Sequence, residues 1–293
     1  MKTIVASLVL LLLAGCFSSP DVIKKERVIF AEKVEHNPTI KLTTLNVGEH
    51  RLFYASAGDP QKPALIIMHG TPGNWHQYAR YMLNDALLND FHVVVIDRPG
   101  WGGSVLGDDQ AIASFEEQAS IVATLANQLK ATNNNQAVIL MGHSLGASIA
   151  PRVAIDYPAS IDGLLLLAGT LDPALSKPRW FNYIAAVPGA YWLLGHNMEK
   201  ANKEIFALKG NIQRLESSWD QLKAYTIVVQ GMRDKLVYPA NIDYAERRLD
   251  PTRTQIIRLA KEGHLFPMTL RQKVVDWSRC LLNKVITQNN HCH

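Results

Sequence analysis

The sequence predicts an α/β fold in which a mostly parallel central sheet is flanked by helices and carries a small helical cap. Three features predict it. Short apolar runs recur along the chain and read as strands buried on both faces. Helix-length segments separate them, the alternation that a parallel sheet with crossover helices requires. That alternation lapses once, between Thr170 and Ala224, where an aromatic insertion replaces it.

In chain order, Lys41 to Ala57 reads as two strands joined around Asn46-Val47-Gly48-Glu49-His50, with Gly48 supplying the turn. Buried strands follow at Ala64 to Met68, Phe91 to Ile96, Ala137 to Met141, Ile161 to Ala168 and Tyr225 to Val229. Helices are predicted near Trp75 to Leu88, Ser114 to Leu129 and Leu145 to Tyr157. In the insertion, Trp180, Phe181, Tyr183, Tyr191, Trp192 and Trp219 concentrate half of the chain's tryptophan, punctuated by Pro173, Pro178 and Pro188. A stretch this long and aromatic predicts a helical cap over about 171–223 rather than a loop. Its aromatic residues divide between the cap's own packing and the lining of a pocket. The βα pattern resumes with a helix near Ala240 to Leu249, a strand near Gln255 to Leu259 and a last helix near Pro267 to Asn283.

Residues 1–15 read as an export leader. Met1-Lys2 is a basic start, and the apolar run Ile4 to Leu13, broken only by Ser7, is shorter than the ~20 residues a spanning helix needs. The next residues, Leu13-Ala14-Gly15-Cys16, resemble a bacterial lipobox. The resemblance implies cleavage between Gly15 and Cys16 and lipidation of Cys16, whose acyl chains, palmitate among them, hold a protein on a membrane without a spanning helix. Phe17 stands where an Asp would resemble an inner-membrane retention signal, so the expected address is the outer membrane, facing the periplasm. Residues 16–37 read as a solvated tether, and 38–293 as the globular domain with its cap.

With 47% hydrophobic and 19% charged residues and a net charge of +4 over 293 residues, the composition excludes a disordered chain. Its only basic cluster, Lys24-Lys25-Glu26-Arg27, is short and interrupted, which argues against a nucleic-acid partner. With Cys16 assigned, Cys280 and Cys292 remain, and export permits either a disulfide or two free thiols. His291-Cys292-His293 lacks the spacing of a built metal site, and no nucleotide or zinc motif is present, so no cofactor or metal is expected.

The chemistry sits at Gly142-His143-Ser144-Leu145-Gly146, directly after a strand and directly before a helix. This is a G-x-S-x-G nucleophile elbow in the strand-turn-helix context it needs, against about 0.05 matches expected by chance from the chain's glycine and serine content. Pro151 removes one hydrogen bond from the helix that follows without moving the elbow. A serine nucleophile needs a base and an orienting acid. His264, in the loop after the strand ending near Leu259, and Asp234, after the strand ending at Val229, lie at the same sheet edge as Ser144. Asp250 precedes its strand and belongs to the opposite edge, while His196 lies in the cap. The loop His69-Gly70-Thr71-Pro72-Gly73 follows a strand and offers the backbone N–H of Thr71, which with that of Leu145 makes the expected oxyanion hole. His69 and His143 are read as structural.

With these residues, the chain from about Lys41 to Asn283 resembles the α/β-hydrolase family. The resemblance rests on the H-G-T-P-G loop, Asp97-Arg98-Pro99-Gly100-Trp101-Gly102-Gly103-Ser104 after the next strand, the G-H-S-L-G elbow, and Asp234 and His264 in the order Ser, Asp, His. It places the cap where the family has its lid and gives Asp97 to Ser104 a structural role beside the site. Epoxide hydrolases and haloalkane dehalogenases carry Asp where this chain has Ser144, so the implied activity is a serine hydrolase acting on carboxylic esters of small molecules or lipids. An amide hydrolase similar to proline iminopeptidases is an alternative, as is acyl transfer, and a non-catalytic binding lipoprotein is the alternative from another class.

Overall fold

The computed structural model describes residues 34, 37–106, 113–187 and 195–288. The leader, Cys16, nearly all of the tether, Tyr191, Trp192 and the tail residues His291, Cys292 and His293 lie outside them. The chain divides into a unit Met1–Ile40 and a unit Lys41–His293. In the first, Asn37 Oδ1 accepts from the Thr39 N–H and hydroxyl at 2.9 and 2.7 Å.

The second unit carries eight strands: β1 (Lys41–Val47), β2 (His50–Ala57), β3 (Ala64–Met68), β4 (His92–Ile96), β5 (Val138–His143), β6 (Gly163–Leu167), β7 (Tyr225–Gly231) and β8 (Thr254–Leu259). They form one sheet in the order β1-β2-β4-β3-β5-β6-β7-β8. The first hairpin pairs antiparallel, and β2 joins β4 antiparallel, but β4, β3, β5, β6, β7 and β8 all run parallel. Strands β3 to β6 are buried along their whole length, as their unbroken apolar runs require, whereas the edge strand β8 is only half-buried. The strand order reverses at β3, which has β4 on one side and β5 on the other. In a parallel sheet such a switch point opens a crevice at the carboxyl ends of the strands.

The α-helices are α1 (Asp85–Leu88), α2 (Phe115–Thr132), α3 (Leu145–Asp156), α4 (Trp180–Ala185), α5 (His196–Glu216), α6 (Asn241–Arg248), α7 (Phe266–Thr269) and α8 (Arg271–Thr287). Ser114 caps α2 by accepting the Glu117 N–H, and α3 runs through Pro151 unbroken. Two predicted helices are each split. Trp75 to Leu88 is a 3₁₀ helix (Trp75–Leu83) followed by α1, because Asn84 is extended and its side chain caps the Leu87 N–H. The last helix is divided at Leu270, where φ −102° and ψ 40° leave the helical region. The insertion between β6 and β7 holds α4, the 21-residue α5 and a 3₁₀ turn at Trp219–Gln221. No helix among the described residues is long and apolar enough to cross a membrane. Cys280 is disulfide-bonded.

Candidate active site

Strand β5 ends at His143 and α3 begins at Leu145, which leaves Ser144 alone in the turn at φ 55° and ψ −121°. A side-chain-bearing residue in such a conformation costs roughly 1–3 kcal/mol, a strain found where a group must be held out of its element. The turn closes because Gly146 has no side chain: a Cβ there would come within 2.5 Å of Met68 O. The Ser144 N–H donates to Leu167 O at 2.9 Å, tying the elbow to the end of β6. Leu145 is the first residue of α3, so its N–H has no acceptor within the helix.

The loop after β3 packs on the elbow closely enough that a Cβ on Gly70 would sit 2.8 Å from Ser144 Cβ. Its shape is held from beneath by Arg98, which is fully buried. The Arg98 guanidinium donates to His69 O at 2.9 Å and Gly70 O at 3.1 Å, to Gln118 at 2.9 Å, and to both carboxylate oxygens of Glu204 at 2.7 and 3.1 Å. Because the C=O and N–H of a trans peptide unit point in opposite directions, engaging Gly70 O turns the Thr71 N–H away from Arg98. Thr71 Oγ1 is buried and has no hydrogen-bond partner. His69 locks the same loop: Nδ1 donates to Gly70 O at 2.7 Å, so Nε2 accepts the Arg98 N–H at 2.9 Å. Burial and the Arg98 charge hold the His69 pKa well below the usual histidine value. Beside it, Asp97 accepts the N–H groups of Trp75 and Gly103, both at 2.7 Å, and Ser104 donates to Asp97 O.

On the other side of the elbow, His264 Nδ1 lies 2.8 Å from Asp234 Oδ2. Asp234 also accepts from the Leu236 and Val237 N–H groups at 2.8 and 2.9 Å and from Gln230 at 3.1 Å. Burial alone would raise the carboxyl pKa. The His264 hydrogen bond and charge, with the two backbone donors, outweigh it and hold Asp234 below the ordinary carboxylate value. An ionised carboxylate only accepts, so His264 carries a hydrogen on Nδ1, and in the neutral ring Nε2 is then the acceptor.

The histidine loop is pinned to the elbow by contacts that the sequence did not disclose. His143 Nε2 meets His264 O at 3.0 Å, and Tyr78 Oη meets His143 Nδ1 at 2.6 Å. A carbonyl only accepts, so Nε2 is the protonated nitrogen and the Tyr78 hydroxyl donates to Nδ1. Burial, then the nearby His264, lowers the His143 pKa to about 3. Tyr81 donates to Pro267 O at 2.6 Å and holds the same loop further on. Tyr78 and Tyr81 share a face because residues three apart eclipse in a 3₁₀ helix. That spacing was the only signal, and Glu204, inside a lysine-rich helix, gave none.

Asp250 is exposed and caps Thr252 before β8, at the edge away from His264. His196 is exposed on α5, 3.6 Å from Glu199. Among the described residues no group of three His, Cys, Asp or Glu is placed to hold a metal.

A sheet with its switch point at β3, an elbow after β5 and an acid–histidine pair after β7 and β8 define the α/β-hydrolase class. Residues 63–194 match the family model described as the alpha/beta hydrolase fold. The chain has the α/β-hydrolase fold. It is 32% identical over 126 residues to a 1-acylglycerol-3-phosphate O-acyltransferase of Arabidopsis thaliana, a match covering 42% of this chain and 29% of that one. It is 31% identical over 140 residues to a fluoroacetate dehalogenase of a Burkholderia species, covering 44% of each chain. The match therefore spans less than half the length of these relatives. Its fold is similar to the crystal structure of a bacterial membrane phospholipase A described as a virulence factor, with a TM-score of 0.66 at 20% identity, over 97% of this chain and 99% of the other.

Proposed function

We propose that the protein is a serine hydrolase that cleaves carboxylic esters. The observation that carries the proposal is the 2.8 Å contact between His264 Nδ1 and Asp234, at the sheet edge where Ser144 stands in its strained turn. In this reading, His264 Nε2 takes the proton of the Ser144 hydroxyl as Oγ attacks the ester carbonyl, and Asp234 stabilises the imidazolium that forms. The N–H groups of Thr71 and Leu145 hold the oxyanion of the tetrahedral intermediate. His264 then gives the proton to the departing alcohol, and a water activated by the same nitrogen hydrolyses the acyl-enzyme. Serine in place of an acidic nucleophile is the reason to favour ester cleavage over the chemistry named for the dehalogenase relative.

The leader, lipidation at Cys16 and outer-membrane placement belong to the same proposal and would bring the enzyme to envelope or imported esters. Labelling with a fluorophosphonate tests the mechanism. Wild type should label and hydrolyse p-nitrophenyl esters, and Ser144→Ala should do neither, with turnover lower by about 10⁴ to 10⁶. Equal labelling of the two proteins would rule the mechanism out.

A further inference from the structure

Twelve large hydrophobic side chains among the described residues are exposed, and nine of them lie on the insertion or in the loops after β7 and β8. Three share one face of α4, Trp180, Tyr183 and Ile184 at 60, 58 and 50% exposed, and Val187, 58% exposed, follows two residues past the end of the helix. A helix that packs on a core turns such a stripe inward; here it faces solvent. The stripe continues onto α5, where the Tyr183 ring meets Phe206 edge-on at 5.2 Å. It is also joined to the site. Arg179, at the start of α4, stacks on Tyr238 with its guanidinium 4.0 Å from the ring centre and donates to the carbonyls of Lys235 and Leu236, in the loop that carries Asp234. Exposed Leu265 directly follows His264.

Between Asp172 and Phe206, and from Met232 to Tyr238, the charged residues classed as exposed among those described are Lys177, Lys203, Arg233 and Lys235. Glu199, with a 38% exposed side chain, pairs with Lys203 at 3.3 Å, so the exposed charge of these segments is positive in excess. An outward apolar stripe with Trp and Tyr, bordered by cations, is the pattern of a surface lying at the boundary between headgroups and acyl chains of an anionic bilayer. We infer that this face docks on the surface of an anionic phospholipid membrane, with the mouth of the site against the lipid. The docking itself does not depend on the chemistry. That the docked phospholipid is also the substrate rests on the esterase reading, because its acyl esters lie at the depth such a stripe reaches.

The test uses the full chain with vesicles of phosphatidylcholine and phosphatidylglycerol whose acyl chains are dibrominated, read by quenching of tryptophan emission. Wild type should show a quenched component that Trp180→Phe removes. That component should fall about tenfold or more when phosphatidylglycerol is omitted or when Lys177→Glu and Lys203→Glu are combined. The combined variant should hydrolyse soluble p-nitrophenyl acetate at the wild-type rate. Absence of a Trp180 component, or equal quenching on neutral vesicles, would overturn the docking. So would a Trp180 shielded from acrylamide only as protein concentration rises, which assigns the face to a second copy. Ser144→Ala should dock as wild type does: docking without fluorophosphonate labelling defeats only the esterase reading, and labelling without docking defeats only this one.

Discussion

His143 donates its Nε2 hydrogen to the backbone carbonyl of His264 across 3.0 Å, so the residue preceding Ser144 holds the loop that carries the proposed base. The Tyr78 hydroxyl, 2.6 Å from Nδ1, selects the tautomer that makes this bond possible. Tyr78→Phe leaves Nδ1 buried without a donor, a loss of about 1–3 kcal/mol. We expect kcat on a p-nitrophenyl ester to fall about tenfold with KM nearly unchanged, since the ring keeps its packing while His264, the proposed base, loses its fixed position. A change confined to thermal stability would show that the bond only supports the fold.

The same histidine makes stability depend on pH. Its folded pKa of about 3 lies below the ordinary value near 6.5, so below pH ~6.5 the unfolded chain binds a proton that the folded chain does not. The contribution is fully present above pH ~6.5 and is lost as pH falls toward 3. Asp234 acts in the same direction: its lowered pKa gives stability that is present above ~3.8 and lost below it. Urea titrations of wild type and His143→Gln at pH 7 and pH 4.5 should show the wild type losing more stability between the two than the variant. Parallel losses would remove His143 as the cause.

Glu204 and Arg98 form a salt bridge with both side chains essentially inaccessible, which joins the cap helix α5 to the carbonyls of His69 and Gly70. Glu204→Leu strands a buried guanidinium and should destabilise by about 3–5 kcal/mol. In a protein of this size that corresponds to a melting temperature lower by roughly 6–20 °C. Calorimetry checks the magnitude. Arg98→Lys, which keeps the charge but cannot fork between the two carbonyls and the carboxylate, should retain more stability than Glu204→Leu and still lose fluorophosphonate reactivity.

What the sequence disclosed about this fold follows the strength of local constraint. Strands β3 to β6 are buried on both faces, so all their residues but His92 and His143 at the ends are apolar or small and the runs stood out; β8 lies at the edge, half-buried, and its run Thr254–Leu259 carries Arg258. The elbow was legible because a turn this tight tolerates only glycine at Gly146. The contacts of Tyr78, Tyr81 and Glu204 were not, because each depends on a partner far away in the chain: Tyr78 on His143, Tyr81 on Pro267, Glu204 on Arg98. Nothing in an apolar period distinguishes a 3₁₀ turn from an α-helix, so the alignment of the two tyrosines, and with it the support of the histidine loop, appears only in three dimensions. Asn84 and Leu270 broke predicted helices for a related reason, since neither has a glycine or proline beside it to mark the break.

Ser144 itself provides a separation of function from stability. Its φ of 55° with ψ of −121° is open to glycine but strained for serine, and the strain is retained at the position proposed for the nucleophile. Ser144→Gly removes the strain of roughly 1–3 kcal/mol and adds the backbone entropy cost of a glycine, about 0.5–1 kcal/mol. The balance predicts a protein about 1 kcal/mol more stable than wild type, whereas Ser144→Ala keeps the strain and should melt near the wild-type temperature. Both should be inactive toward p-nitrophenyl esters. Chemical denaturation of the three proteins in parallel provides the check. A glycine variant less stable than the alanine one would show that the serine hydroxyl or its packing supports the turn, and that the strained conformation is not held for chemistry.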